Sequence, residues 1–384
     1  MDPRSVGVVE TQHLELPGPL CLDSGRQLRQ VKVAYETYGT LSPARDNVIL
    51  VCHALSGDAH AAGLSPTPPA ESTRDGFAAA GSPKGIGWWD GMIGPGKAFD
   101  TDRFFVVSTN LLGGCRGTTG PSSIDPDTGA PYGSTFPVIT VADMVRCERA
   151  FLDELGIERL AAVAGGSLGG MQALEWATSY PDQVDNIVVI ASTHALQPQG
   201  VAWNAIAREA IMRDPAWRGG HYYGTGSAPD AGMGVARMVG HITYLSAPSL
   251  AEKFGRRLQS GENLRYTLHE PEFEVESYLR HQAASFVRRF DANTYLYLSR
   301  ALTYFQLDLE AAAERIRART LLIAFSSDWL YPPVASEEIS AALHKHGKTA
   351  EFHLIEAPYG HDCFLLEEAR QTPIVRDFLN EGRP

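Results

Sequence analysis

Short apolar runs and amphipathic stretches alternate through the first half of this chain. Residues 31–38 and 48–55 are apolar and β-rich, and residues 104–112 repeat that pattern after a Gly/Pro/Ser-rich stretch at 63–97. The spacing Thr140-x-x-Asp143 predicts a helix N-terminus, with the helix reaching to about Leu155. An apolar run at 160–164, an amphipathic stretch from Met171 to Tyr180 and a further apolar run at 186–192 follow. Strands alternating with helices in this order predict a mostly parallel α/β sheet flanked by helices. Residues 196–300 break the pattern: they are rich in aromatics, Arg and Glu and read as mostly helical, with candidate helices at 202–213, 234–243 and 273–278. The sheet pattern returns at 320–325 and 350–355, with a helix at 336–346 between them. The simplest organisation is a core built from residues 1–195 and 301–384, carrying a helical cap at 196–300 over the strand ends where ligands bind.

Composition narrows the function classes. A length of 384 residues allows a sizeable core, and 44% hydrophobic with 20% charged residues is ordinary for a globular chain. The net charge of −12 argues against binding nucleic acid or an anionic membrane through the overall field. The five cysteines, Cys21, Cys52, Cys115, Cys147 and Cys363, are widely spaced with no C-x-x-C. That fits reduced thiols in a cytoplasm better than a disulfide framework or a metal site. Residues 1–5 show no basic start leading into an apolar stretch, so no signal peptide is expected, and no apolar run approaches the ~18 residues of a spanning helix.

Candidate chemistry centres on Gly165-Gly166-Ser167-Leu168-Gly169, a G-x-S-x-G between a predicted strand and a predicted helix. In that context the motif is a nucleophile elbow: a strained turn lifts the serine hydroxyl above the sheet, at a helix N-terminus. The N–H of Leu168 then faces any oxyanion formed there. A serine nucleophile needs a base, and the base an orienting carboxylate, in the chain order Ser, Asp or Glu, His for this type of sheet. Asp328 lies just past the 320–325 run and His361 past the 350–355 run, an interval that fits strand, acid, helix, strand, histidine. Ser167, Asp328 and His361 are therefore the expected triad. Cys52-His53-Ala54-Leu55-Ser56-Gly57 leaves another strand where a second oxyanion donor is needed, so the Leu55 N–H is assigned beside Leu168. His53 is then read as structural, and His60 and His241 as satisfied polar residues.

With these residues in place, the chain resembles the homoserine O-acetyltransferase family, acyltransferases of methionine biosynthesis on an α/β-hydrolase fold. The resemblance rests on the His53 segment, Gly87-Trp88-Trp89-Asp90, Gly94-Pro95-Gly96-Lys97 and the 110–121 segment beginning Asn110-Leu111-Leu112-Gly113-Gly114. It extends through Gly166-Ser167-Leu168-Gly169-Gly170-Met171-Gln172, Ala236-Arg237-Met238-x-Gly240-His241-Ile242-Thr243-Tyr244, Asp291-Ala292-Asn293-x-Tyr295 and Gly360-His361-Asp362. The resemblance implies the same triad, substrate contacts at Arg237 and Asp362, a ping-pong reaction with acetyl-CoA as co-substrate and L-homoserine as acceptor, no cofactor or metal, and a homodimer formed through the cap helices. A guanidinium can hold the carboxylate of the acceptor and a carboxylate its ammonium.

Succinyl-using relatives place an arginine two residues past the catalytic aspartate. Here that position is Leu330, which cannot pair the distal carboxylate of a succinyl group, so acetyl-CoA is the expected donor. Other readings of the same triad are a homoserine O-succinyltransferase, a serine O-acyltransferase and a plain serine esterase or thioesterase. A scaffold that has lost catalysis is a further reading, and the intact order of Ser167, Asp328 and His361 argues against it. Arg280, Arg288 and Arg289 are basic enough to meet CoA, but a solvated helix face accounts for them equally well.

Overall fold

The apolar runs become strands. A computed structural model describes residues 4–66, 85–261 and 263–381. Residues 1–3 and the middle of the Gly/Pro/Ser-rich stretch lie outside the described residues. In chain order the strands are β1 (Gln12–Glu15), β2 (Leu20–Cys21), β3 (Gln27–Leu28), β4 (Lys32–Tyr38), β5 (Val48–Cys52), β6 (Phe105–Thr109), β7 (Ala162–Gly166), β8 (Asn186–Ile190), β9 (Arg319–Phe325) and β10 (Ala350–Ile355). Eight of them form one sheet in the order β1-β4-β6-β5-β7-β8-β9-β10, while β2 and β3 pair apart from it. From β6 to β10 all neighbours are parallel, and β4 runs antiparallel to both β6 and β1.

Period-two alternation splits the core into two layers. Val48, Leu50 and Cys52 of β5 with Ile187 and Val189 of β8 face one apolar cluster. Ile49, Val51, Val188 and Ile190 face the other. Both layers are dry, so the central strands read as continuous apolar runs rather than alternating ones, as parallel strands covered on both faces do. Each Val, Ile or Leu so buried contributes about 1.5–3 kcal/mol.

The helices are α1 (Val141–Glu154), α2 (Leu168–Ser179), α3 (Pro198–Met212), α4 (Asp230–Tyr244), α5 (Ala247–Lys253), α6 (Glu274–Val287), α7 (Ala292–Tyr304), α8 (Leu309–Arg315), α9 (Pro333–Lys345), α10 (Cys363–Leu366) and α11 (Glu368–Asn380). The Thr140 signal is a complete capping box: the Thr140 hydroxyl accepts from the Asp143 N–H and the Asp143 carboxylate from the Thr140 N–H. The same helix stops at Gly156, whose φ of +66° lets the Ile157 N–H return to the Leu152 carbonyl. Helices α3 to α7 all lie between β8 and β9, and α7 runs on through residue 300 to Tyr304.

Boundaries shift where side chains intervene. β5 stops at Cys52 because residues 54–57 form a turn closed by the Gly57 N–H on the Ala54 carbonyl at 3.1 Å. α2 starts at Leu168, ahead of Met171, because the Ser167 carbonyl takes the N–H groups of Gly170 and Met171. α6 runs from Glu274 to Val287, well beyond the expected 273–278. The polar strand β1 carries no apolar pattern strong enough to announce it, and in α11 the stripe of Val375, Phe378 and Leu379 is masked by Pro373 inside the helix. No helix among the described residues is long and apolar enough to cross a membrane.

Candidate functional site

Parallel register brings the carboxyl ends of the central strands to one edge of the sheet. Cys52 pairs with Gly165, Gly166 with Ile190, and Phe325 with Ile355, so the loops after β5, β7, β9 and β10 open side by side. Ser167 follows β7 directly, with φ 58° and ψ −122°. A side chain is rarely held at positive φ, and strain of this kind persists only when the surroundings enforce it. Here they do so by close backbone approach. A Cβ on Gly169 would meet the Cys52 carbonyl oxygen at 2.0 Å, and one on Gly165 would meet the Gly169 carbonyl carbon at 2.4 Å. Both glycines let α2 press against β5 and β7 so that the turn between them projects Ser167.

Ser167, His361 and Asp328 meet in a continuous chain. His361 Nε2 lies 2.9 Å from Ser167 Oγ, and His361 Nδ1 lies 2.7 Å from Asp328 Oδ2. All three side chains are buried. The second carboxylate oxygen, Oδ1, accepts from the N–H groups of Leu330 and Tyr331 at 3.0 and 2.9 Å. Asp328 is thereby fixed in rotation and aimed at the ring. A carboxylate on Nδ1 keeps the proton there, which leaves Nε2 free to accept from the serine hydroxyl. Tyr331 packs edge-on to the His361 ring at 4.9 Å, and Phe364 and Tyr244 flank it at 5.3 and 6.1 Å. Tyr331 was invisible to motif reasoning because nothing in its local sequence says that it will meet His361.

The two expected oxyanion donors sit on either side of this chain. Leu168 is the first residue of α2, and Leu55 lines the cavity in front of Ser167. Among the described residues, neither N–H has an acceptor within the fold. The Leu55 turn is seated by His53. Its Nδ1 is 2.7 Å from the Ala54 carbonyl, which can only accept, so Nδ1 carries the proton and Nε2 accepts from the Leu111 N–H at 3.1 Å. Burial holds the pKa of this imidazole below its ordinary value and keeps it neutral. His60 is satisfied on both nitrogens, by Glu36 and the Gly85 carbonyl. His241 departs from the expectation: Nδ1 meets the Tyr278 hydroxyl at 3.1 Å, while Nε2 has no partner among the described residues. Burial, then the charges of Arg237, Lys253 and Arg289, push its pKa down to about 3.

Arg237 comes from α4 and Asp362 from the turn after β10. The Arg237 guanidinium stacks over Phe286 at 4.4 Å and near Tyr244 at 5.6 Å. Its Nε is buried without a hydrogen-bond partner among the described residues. Burial raises the pKa of Asp362, an effect opposed by His361 and Arg237 nearby. Among the described residues neither Arg237 nor Asp362 forms a salt bridge. Asp362 follows His361 directly, and Arg237, which bonds Tyr244, acts on the Asp362 carboxylate through its charge without a salt bridge among the described residues.

In front of Ser167 the cavity is walled by apolar and aromatic side chains, chiefly Leu55, Leu196, Trp203, Tyr295, Leu302 and Leu330. No Arg or Lys is among its lining residues, and neither Arg237 nor Asp362 lines it. Of the arginines read as possible CoA contacts, Arg280 donates to the His269 carbonyl at 3.1 Å, Arg288 is exposed, and Arg289 turns inward to the Ser56 carbonyl at 3.2 Å.

The chain matches the alpha/beta hydrolase fold family over residues 47–368. It is similar to the homoserine O-acetyltransferase of Methanococcus vannielii, 48% identical over 99% of this chain and 75% of that protein. It is as similar to the homoserine O-succinyltransferase of Bordetella avium, 49% identical over 97% of this chain and 88% of that one. Among solved structures it resembles the homoserine O-acetyltransferase from Bacillus anthracis (TM-score 0.87, 32% identical, 97% of this chain and 98% of that one). It also resembles esterase E22 (TM-score 0.85, 32% identical, 97% and 100%).

Proposed function

This chain belongs to the homoserine O-acetyltransferase family on the alpha/beta hydrolase fold, and from that premise we propose that it moves an acetyl group from acetyl-CoA to the γ-hydroxyl of L-homoserine through an acyl-serine. His361 takes the Ser167 proton as Oγ attacks the thioester carbon. The oxyanion of the tetrahedral intermediate meets the Leu168 and Leu55 N–H groups, and the thiol of CoA departs with the proton. Homoserine then enters, and Arg237 receives its carboxylate and Asp362 its ammonium. His361 removes the hydroxyl proton as that oxygen attacks the acyl carbon, then returns it to Ser167 Oγ as the acyl–serine ester bond breaks, which frees O-acetylhomoserine and the serine. Nucleophile, base and oxyanion donors are all groups of the chain, so the scheme calls for no cofactor.

The observation that supports this reading is the contrast across the site. The Ser167 side opens on an apolar cavity, whereas the His361 side holds a guanidinium and a carboxylate free to pair with a zwitterion. Overall identity does not separate acetyl from succinyl transfer, because relatives of both names are equally similar. Leu330 supports acetyl: it lines the cavity, and a succinyl carboxylate buried beside it would have no cation. Leu330→Arg should therefore raise activity with succinyl-CoA relative to acetyl-CoA by about tenfold or more, the scale of one buried ion pair. An unchanged ratio would remove this position from donor selection.

The deciding experiment is free-thiol release from acetyl-CoA and from succinyl-CoA, each with homoserine, serine or no acceptor. Release from acetyl-CoA that depends on homoserine is the expected result. Dependence on serine would make the protein a serine O-acyltransferase, a succinyl preference would overturn the donor assignment, and sustained release beyond one equivalent without any acceptor would make it a thioesterase or esterase.

We further propose a homodimer through the cap helices. Ile206 on α3 and Val235 and Ile242 on α4 are exposed, at 49%, 46% and 38%, on two helices that pack together. Sedimentation should give twice the chain mass, and Val235→Lys should shift it toward the monomer; a monomeric wild type would refute this. The five free cysteines support a reducing, cytoplasmic setting.

A further inference from the structure

Arg289 lies between the end of α6 and the start of α7, and its guanidinium reaches back across the site. Nη1 donates to the carbonyl of Ser56 at 3.2 Å. Ser56 belongs to the turn that carries the Leu55 N–H, closed by Gly57 on Ala54. The carbonyl of Arg289 in turn accepts from Arg116 Nη2 at 2.9 Å, and Arg116 Nε stands 3.4 Å from Asp58 Oδ2, with both side chains buried. Asp58 is two residues past Ser56. Ser56, Arg289, Arg116 and Asp58 therefore close a ring of polar contacts between the inserted helices and this turn. From the sheet side the turn is held by His53 and by its own backbone bond. Among the described residues, no other hydrogen bond joins α3–α7 or their connections to residues 53–57.

We propose that Arg289 is a positioning residue for the oxyanion hole, through which the inserted helices set the placement of the Leu55 N–H. The inference rests on the acyl-serine reading above. Leu168 is held by α2 and needs no such help. The Leu55 turn is a loop of five residues leaving a strand, and a turn of this size keeps a donor in place only when tied at both ends. A charge-assisted bond to its outer carbonyl supplies the second tie. Burial and the neighbouring Arg237 and Arg116 push the Arg289 pKa down to about 10, so it stays a cation at neutral pH. Its guanidinium lies 5.0 Å from the Phe286 ring, which Arg237 also covers. Phe286 thus seats the arginine that steadies the turn and the one assigned to the acceptor carboxylate.

The test uses the full-length protein carrying Arg289→Met or Arg289→Lys, with Arg237→Lys for comparison. Rapid mixing with acetyl-CoA alone reads the burst of free thiol, and steady-state rates over homoserine concentration read the whole cycle. Because an oxyanion forms in both half-reactions, the burst rate and kcat should fall together in Arg289→Met, by about 10- to 100-fold, less than the 10²–10³ of deleting a donor outright. The KM for homoserine should change by less than about threefold, since the interaction serves the transition state rather than the ground state. Arg289→Lys keeps the charge without the planar fork and should recover part of the burst, which carries the test if Arg289→Met does not fold. Arg237→Lys, at the residue assigned to the acceptor carboxylate, should raise the KM for homoserine, the pattern that Arg289→Met should not show. An unaltered burst in both Arg289 variants would overturn the proposal, as would a raised homoserine KM with a normal burst, which would make Arg289 an acceptor contact. A wild-type protein without a burst would overturn the acyl-serine reading itself, and this inference with it.

Discussion

Ser167→Ala should lower thiol release from acetyl-CoA in the presence of homoserine by about 10⁶-fold, the loss seen when the nucleophile of such a triad is removed. Three features of the site set that scale. The hydroxyl is 2.9 Å from the base that deprotonates it. Its backbone is already held at φ 58° by the tight approach of Gly165 and Gly169 to their neighbours, so alanine inherits a conformation that the fold enforces, and the variant should fold. Only the oxyanion donors and the binding groups remain to it, and these accelerate attack by water rather than transfer between two substrates. Incubation with acetyl-CoA alone followed by mass measurement should place an acetyl group on the Ser167 peptide of the wild type and none on the variant. Residual transfer within tenfold of wild type would mean that another group carries the acyl chain.

Asp328→Asn should cost about 10⁴-fold in kcat while leaving the fold intact. An asparagine can present its carbonyl oxygen to the Leu330 and Tyr331 N–H groups, which now donate to Oδ1 at 3.0 and 2.9 Å. That choice turns the amide nitrogen toward His361. The nitrogen is a donor, so Nδ1 of His361 must accept, and the ring proton moves to Nε2. There it faces Ser167 Oγ across 2.9 Å as a second donor and cannot take the hydroxyl proton. The wrong tautomer, with every atom close to its original place, is the whole of the expected defect. The apparent KM for homoserine should change little, and the melting temperature should stay near wild type. A loss below tenfold would show that His361 does not depend on Asp328 for its tautomer.

Legibility varied with how local the cause was. The central strands and α1, α2 and α9 were readable because each buries a run or stripe whose period shows in one dimension, and because caps such as Thr140 and Asp143 act within four residues. The polar edge strand β1 buries too little of itself to stand out, and Pro373 disguises α11 as a break although Val375, Phe378 and Leu379 form a buried stripe. Within the site, Ser167 announced itself through glycines that leave room for backbone, and Asp328 and His361 through their places after successive strands. Arg289 gave no such sign. One more arginine in a basic helical stretch looks solvated, and its inward turn depends on Ser56, 233 residues away in the chain. His241 was read as satisfied, yet one of its nitrogens has no partner, which no local pattern could reveal.

The sequence by itself determined the α/β alternation, the elbow at Ser167 and the order of its two partners, because hydrophobic period, glycine spacing and strand-to-loop placement are properties of neighbours along the chain. The tertiary structure alone decided how His53 seats the Leu55 turn, through the Ala54 carbonyl and the Leu111 N–H, that Leu330 faces the cavity, and that Arg289 ties the inserted helices to Ser56. Those outcomes hang on contacts between segments tens to hundreds of residues apart, whose geometry is set only when parallel strands lock in register and side chains from separate helices compete for the same buried space.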